Sequence, residues 1–203
     1  MKKIYILTCS ALLLMGCQTT SSMKNSITFV VGPSQHGLSF VFKNNWPKCG
    51  NFKSSDVRMG SGKYITFTST CKIEPEGYIP EQIVIEYAPW LTMEQIEKEI
   101  GEYPQKALSD ITLGFATESQ KNDFKIWNSK EQQLINKIPA SAWKKVVLYP
   151  PQDVAKYKNQ LLEGKGNKSR GKEIHYIISL NPDGTYAITT KLYWKVPYQT
   201  NWN

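Results

Sequence analysis

Residues 174–194, IHYIISLNPDGTYAITTKLYW, decide the fold of this chain. Two runs of alternating apolar and polar side chains, residues 174–180 and 185–194, flank the tetrapeptide NPDG at residues 181–184. Proline presets φ for a turn, and glycine adopts the positive φ that a tight turn requires. The stretch therefore predicts an antiparallel hairpin.

Short patterns of the same kind continue through the chain from residue 27 onward. They predict strands over residues 27–31, 38–43, 64–70, 83–87, 110–116, 124–127 and 146–149. We expect the first two strands to form a hairpin across the turn at residues 32–37, and Pro89 to end the fourth.

Helical signals are fewer and shorter. Thr92 and Ser129 each stand three residues before a glutamine, as in a capping box, and an apolar face over residues 151–163 predicts a further helix. The strands and helices follow no βαβ rhythm. The predicted class is therefore α+β, with a mainly antiparallel sheet, sandwich-like or a meander, and two or three short helices.

The N-terminal segment has the pattern of an export signal. Lys2 and Lys3 precede a mostly apolar stretch, residues 4–15, which is shorter than the roughly 20 apolar residues that span a bilayer. The stretch runs into LMGC at residues 14–17, which resembles the lipobox of bacterial lipoprotein precursors. The resemblance implies cleavage before Cys17 and a diacylglycerol on its sulfur.

This signal sets the expected organisation and location. Residues 1–16 are a lipoprotein signal peptide, residues 17–26 are the lipidated cysteine and a flexible tether, and residues 27–203 are a single domain. Acyl chains such as palmitate contribute about 0.8 kcal/mol per buried CH₂, so they anchor a protein without a membrane-spanning helix. By resemblance to Gram-negative sorting rules, Gln18 implies the outer membrane, and we expect the body to face the periplasm.

Cys49 and Cys71 are the cysteines that remain once Cys9 leaves with the signal peptide and Cys17 is lipidated. In an oxidising compartment we expect them to form a disulfide. A metal site would need further ligands at close spacing, which neither histidine provides, so we expect no metal and no cofactor.

The charge favours anionic partners. The formal net charge of +8 falls to +6 when Lys2 and Lys3 leave with the signal peptide. In the envelope such a charge favours phospholipid head groups, lipopolysaccharide, acidic glycan or an acidic protein, and we expect no nucleic acid. A positive charge that only aids solubility is an equally weighted alternative.

Two clusters are candidates for contact with a partner. A glycine-rich segment matches G-x-x-x-x-G-K, but Glu173 replaces the Ser or Thr of a P-loop, so we reject that motif. The segment is instead predicted to be an electropositive loop with Lys165, Lys168, Arg170 and Lys172. Aromatic residues of the types enriched at binding hot spots gather near the C-terminus: Tyr193, Trp194, Tyr198 and Trp202. A solvated loop and a structural role for the aromatic residues are the alternatives.

Catalytic motifs are missing from the sequence. Neither G-x-S-x-G nor H-E-x-x-H occurs, and His36 and His175 have no catalytic framing. We therefore expect a protein that is not an enzyme and has no catalytic residues. An envelope hydrolase that depends on one of the histidines is the weaker alternative.

Four segments carry a resemblance to a known family: IP at residues 79–80, IVIEY at 83–87, DITLGFA at 110–116 and IW at 126–127. They resemble the middle part of a family of small bacterial lipoproteins of mostly unknown function, some of which are immunity proteins against type VI secreted phospholipases. The resemblance implies a periplasm-facing lipoprotein that binds and neutralises a secreted toxin. The alternatives are an accessory or assembly lipoprotein of an envelope or secretion machine, and a glycan-binding lipoprotein.

Overall fold

The computed structural model describes residues 26–50, 63–66, 69–160 and 171–195. The strands are β1 (Ser26–Pro33), β2 (Ser39–Lys43), β3 (Tyr64–Ile65), β4 (Ser69–Lys72), β5 (Ile83–Trp90), β6 (Lys144–Leu148), β7 (Gly171–Leu180) and β8 (Tyr186–Lys195). The α-helices are α1 (Met93–Ile100), α2 (Gln105–Leu113), α3 (Glu118–Ile135) and α4 (Pro150–Tyr157), and a 3₁₀ turn covers Ala140–Ala142.

Two four-stranded sheets pack face to face and enclose the main core. The first sheet has the order β4-β1-β7-β8 and the second the order β3-β2-β5-β6. Neighbouring strands are antiparallel except β1 and β7, which are parallel. Every second residue of the central strands is buried between the sheets, among them Ile27, Phe29, Val31, Ile83, Ile85, Tyr87, Ile174, Tyr176 and Ile178. The predicted α+β class is confirmed.

The C-terminal hairpin is confirmed in its register as well as its strands. Leu180 pairs with Tyr186, and the pairing continues to Gly171 and Lys195. Gly184 has a φ of +94°, and its N–H donates to the carbonyl of Asn181 at 3.1 Å. Gly184 therefore has the positive φ that was predicted for this turn.

The predicted disulfide is present. The sulfur atoms of Cys49 and Cys71 are 1.98 Å apart, and both residues are buried. Cys49 also forms an isolated β-bridge with Ile73, just beyond β4. The disulfide therefore joins the segment after β2 to the edge strand of the first sheet.

The predicted hairpin between β1 and β2 is wrong, because the two strands belong to different sheets. Both neighbours of β1 are already taken, by β4 and β7, and β2 lies between β3 and β5. The turn at residues 34–38 instead carries the chain across the core. Phe29 and Phe42 then meet the same ring from opposite sheets, with ring centroids 5.1 and 5.5 Å from Trp46.

Two other strand boundaries differ from the prediction. The single strand expected over residues 64–70 is two strands, β3 and β4, in different sheets. β5 continues through Pro89, which pairs with Phe40. On its other side β5 pairs with β6 only as far as Tyr87, so the proline lies where one neighbour is missing, a position that sheets tolerate.

The strands predicted over residues 110–116 and 124–127 are wrong. Residues 110–113 belong to α2, residues 114–116 to the loop after it, and residues 124–127 to α3. α2 ends at Gly114, which has a left-handed φ of +79°. α3 begins with a capping box in which Thr117 and Gln120 bond each other's backbone, so Ser129 lies within this helix and does not start one. The capping box of Thr92 and Gln95 before α1 is confirmed.

The remaining helix and strand predictions hold in part. β6 and α4 lie where they were expected, but α4 ends at Tyr157, and the last predicted residues, from 161 onward, lie outside the described residues. None of the described helices is long and apolar enough to cross a membrane.

The disulfide should provide a measurable part of the stability. Closing a loop between residues 22 apart stabilises a fold by about 3 kcal/mol in the chain-entropy model. We therefore expect dithiothreitol to lower the free energy of unfolding by about that amount in urea titrations. The double variant Cys49→Ala/Cys71→Ala is the control, and its stability should not respond to the reductant. Equal stability of the wild type with and without reductant would contradict this role.

Candidate functional site

A groove of about 1130 Å³ lies between helices α1–α3 and the end of the second sheet. Aromatic side chains from four separate segments line it: Tyr64, Trp90, Tyr103, Phe124 and Trp127. Clefts that bind ligands typically combine apolar and aromatic walls with a few placed polar groups. This groove is the candidate functional site.

Helix α3, which forms one wall of the groove, is attached to the end of α1. Trp127 of α3 donates its indole N–H to the carbonyl of Gly101 at 3.0 Å, directly after α1. The ring of Tyr103 meets the Trp127 ring edge to face, with centroids 4.8 Å apart, and meets Phe124 at 6.3 Å. These contacts hold α1 and α3 together at the floor of the groove.

The C-terminal half of α3 is attached to the second sheet. The backbone N–H of Tyr64 donates to the side-chain oxygen of Gln132 at 3.1 Å, and the Tyr64 hydroxyl donates to Asn136 at 2.9 Å. Ile135 packs with Val41 and Ala88 in a second buried cluster. The sheet and the helix therefore form one framework around the groove.

Glu131 is the unusual residue of this wall. It lines the groove, is only 5% exposed, and follows Phe124 and Trp127 on the buried face of α3. No group in the described residues hydrogen-bonds or ion-pairs with its carboxyl. Burial raises the pKa of Glu131 to about 7.

Trp90, which lines the groove, has an unsatisfied polar atom. The indole N–H of Trp90 is buried and has no acceptor in the part of the chain that the structure describes. Leaving a buried polar group unpaired costs about 1–3 kcal/mol. A ligand that supplied a donor or a cation to Glu131 would give this carboxyl a partner, which the described residues do not provide.

Sequence reasoning missed Glu131, although a signal was present. Phe124, Trp127, Glu131 and Ile135 recur at the three- and four-residue spacing of a helix face, which places a carboxyl in an apolar stripe. A strand assigned to residues 124–127 conceals that spacing. Thr117 and Gln120, which have the same spacing as Thr92 and Gln95, would have identified the helix.

Most of the predicted partner-binding residues cannot be placed. Lys165, Lys168, Arg170, Tyr198 and Trp202 lie outside the described residues, and so does Cys17, the predicted lipidation site. Lys172 differs from the prediction, because it belongs to strand β7 and not to a loop, and it is 5% exposed.

The ammonium group of Lys172 has a structural environment. It donates to the carbonyls of Tyr157 and Lys158, at 2.6 and 2.8 Å, at the end of α4, and lies 4.9 Å from the centre of the Trp194 ring. Burial lowers the pKa of Lys172. The contacts join α4 to the second residue of β7.

Tyr193 and Trp194 point to opposite faces of β8, as neighbours on a strand do. Tyr193 is 45% exposed and its ring centroid is 4.4 Å from that of His175. His175 in turn lies 2.9 Å from the Glu173 carboxylate, which also accepts a hydrogen bond from Thr28 at 2.7 Å. The two aromatic residues therefore do not form one patch.

Neither histidine belongs to a group of three possible metal ligands in the described residues. His36 lies in the exposed turn between β1 and β2, and His175 lies on β7. The described residues contain no group of three His, Cys, Asp or Glu side chains that could hold a metal ion.

Comparison of the chain with protein-family models, with curated proteins and with solved structures finds no match.

The Glu131 carboxyl should make stability depend on pH. Its pKa is about 7 in the folded protein against 4.5 as the ordinary value, so the folded state binds more protons between these values. The contribution of Glu131 to the free energy of unfolding is therefore fully present below about pH 4.5, where the carboxyl is protonated, and is lost as pH rises to about 7. Relative to the variant Glu131→Gln, we expect the wild type to lose about 3 kcal/mol of unfolding free energy between about pH 4 and pH 8.

Urea unfolding at both pH values measures this difference. Asp123→Asn is the matched control, because Asp123 is exposed on the same helix and is not among the lining residues. Its difference from the wild type should be small beside that of Glu131→Gln. A difference between Glu131→Gln and the wild type that does not change with pH would contradict the burial of an unpaired carboxyl.

Lys172 should contribute to stability. The variant Lys172→Met removes both charged hydrogen bonds to α4 and should lower the free energy of unfolding by about 2 kcal/mol. Lys191→Met is the control, because Lys191 is exposed on the neighbouring strand and its loss should change stability little. Equal stability of the two variants in urea titrations would argue against the structural role.

Proposed function

We propose that this protein is a lipid-anchored envelope protein that acts by binding, and that the groove receives a protruding segment of a protein partner. The observation that carries the proposal is the buried, unpartnered Glu131 carboxyl in the wall of an aromatic groove. A fold that needed only stability would place an apolar side chain there.

The composition of the groove supports binding over hydrolysis. Trp and Tyr are the residues enriched at the energetic centres of protein interfaces, and two of each line this groove. Neither histidine nor cysteine occurs among the described lining residues, so a histidine-activated nucleophile has no support there.

The size of the groove supports a polypeptide ligand. Pockets for small molecules are about 300–1,000 Å³, and this open groove, at about 1130 Å³, is at the upper end of that range and has room for several side chains of a polypeptide. The lipidated Cys17 and its tether would hold the groove near the membrane surface. Neutralisation of a secreted toxin is the specific form of binding that we propose first, and attachment to a component of an envelope machine is the alternative.

A variant that fills the groove tests the proposal. Ser129 is exposed and lines the groove, so Ser129→Trp should occupy the space that the partner needs. Asn122→Trp is the matched control, since Asn122 is exposed on the same helix and is not among the lining residues. We expect affinity capture from envelope and secreted fractions to recover a partner with the wild type and with Asn122→Trp, and at least tenfold less with Ser129→Trp.

The fraction that yields the partner decides between the two forms of binding. A secreted enzyme as the partner would favour toxin neutralisation, and cells that carry Ser129→Trp should then be sensitive to attack by armed siblings. Envelope machine components would favour the accessory role. Equal recovery by Ser129→Trp and Asn122→Trp would exclude the groove as the binding site.

A further inference from the structure

The Glu131 carboxyl is an acceptor for which the described protein provides no donor. An ionised, buried carboxylate is stabilised by a close opposite charge. The lysines that line the groove do not supply one: Lys121 pairs with Glu118 at 2.7 Å, and Lys125 is exposed. No cationic group of the described residues lies against Glu131, so a cation from a ligand would be the first close opposite charge for this carboxyl in the described structure.

The walls around Glu131 suit a cation on an apolar stem. The faces of Trp, Tyr and Phe rings attract cationic groups, and these rings line the groove from both the sheet and the helices. Met93 and Ile96 of α1 add aliphatic surface. Lysine and arginine side chains combine such a stem with a charged head.

The charged side chains that line the groove also favour a cationic ligand. The titratable side chains of its lining are Glu97 and Glu102 from α1 and the segment after it, Lys121, Lys125 and Glu131 from α3, Tyr64 from β3 and Tyr103. With Glu131 ionised, the carboxylates outnumber the lysines by one, although the whole chain has a net charge of +8. The described lining thus has a small acidic excess when Glu131 is ionised, and this excess is complementary to a basic ligand.

A basic peptide offers a cationic side chain for Glu131 and apolar groups for the aromatic walls of the groove. We therefore infer that the partner presents a basic peptide segment that places a lysine or arginine side chain against Glu131. This inference rests on the proposed function and names the chemistry of its partner.

Three capped tripeptides test the inference. Acetylated and amidated Leu-Lys-Leu, Leu-norleucine-Leu and Leu-Glu-Leu are titrated into the full-length protein in detergent, and heat is measured by calorimetry. We expect the lysine peptide to bind at least tenfold more tightly than the norleucine peptide, which has the same stem without the charge. Glu131→Gln should remove this preference, and Asp123→Asn should retain it.

The pH dependence of the same titration gives a test with the unmodified protein. A cation needs the ionised carboxylate, and burial raises the pKa of Glu131 to about 7. The affinity for the lysine peptide should therefore rise by up to about thirtyfold between about pH 5.5 and pH 8, and the affinity for the norleucine peptide should not.

Three results would overturn the inference: equal affinity for the lysine and norleucine peptides, a preference that survives Glu131→Gln, or no peptide binding at millimolar concentration. An affinity that falls as pH rises would also overturn it, because the ligand would then prefer the protonated Glu131 carboxyl, which donates a hydrogen bond and does not pair with a cation. The proposed function fails separately, when Ser129→Trp captures the partner as well as Asn122→Trp does.

Discussion

The packing of Ile135 against Val41 and Ala88 is the contact on which the groove depends. Val41 and Ala88 belong to the second sheet, and Ile135 of α3 packs against them. Beside this contact the side-chain oxygen of Gln132 accepts a hydrogen bond from the backbone N–H of Tyr64. α3 is thereby held against the sheet at its C-terminal end. α1 and α2 also pack on α3, and the space between these helices and the end of β5 is the groove.

This arrangement explains why a costly group is found in the wall. Glu131 lies one helical turn before Ile135, where α3 passes from the sheet to the groove. A leucine there would pack without the desolvation penalty of a carboxyl. Positions that break the rules of a stable fold are expected at functional sites, where the cost is offset by stability elsewhere. The sandwich core and the disulfide provide that stability.

The sequence predicts the sandwich much better than it predicts the site. Strands of the core show an apolar residue at every second position, and the turn at residues 181–184 has its own chemistry, so β7, β8 and the fold class follow from local pattern. The partners of a strand do not follow from its pattern. β1 and β2 are adjacent in sequence, yet they lie in opposite sheets because other strands occupy their edges.

The site depends on helices whose sequence is ambiguous. Ile111, Thr112 and Phe124 to Trp127 include residues that favour strands, and here tertiary packing overrides that preference. The second capping box, at Thr117, is the local feature that identifies α3. Only when this helix is assigned does Glu131 fall on the same face as the apolar residues Phe124, Trp127 and Ile135. The partner-binding residues predicted at the C-terminus follow from composition alone, and composition does not determine which of them share a face.

The most direct measurement is the titration of the Glu131 carboxyl by carbon-13 NMR of the free protein, with Glu131→Gln to assign its signal. The account predicts a pKa of about 7, because the carboxyl is buried without a partner in the groove. A value near the ordinary 4.5 would contradict it, because the carboxyl would then be solvated or paired and would need no ligand.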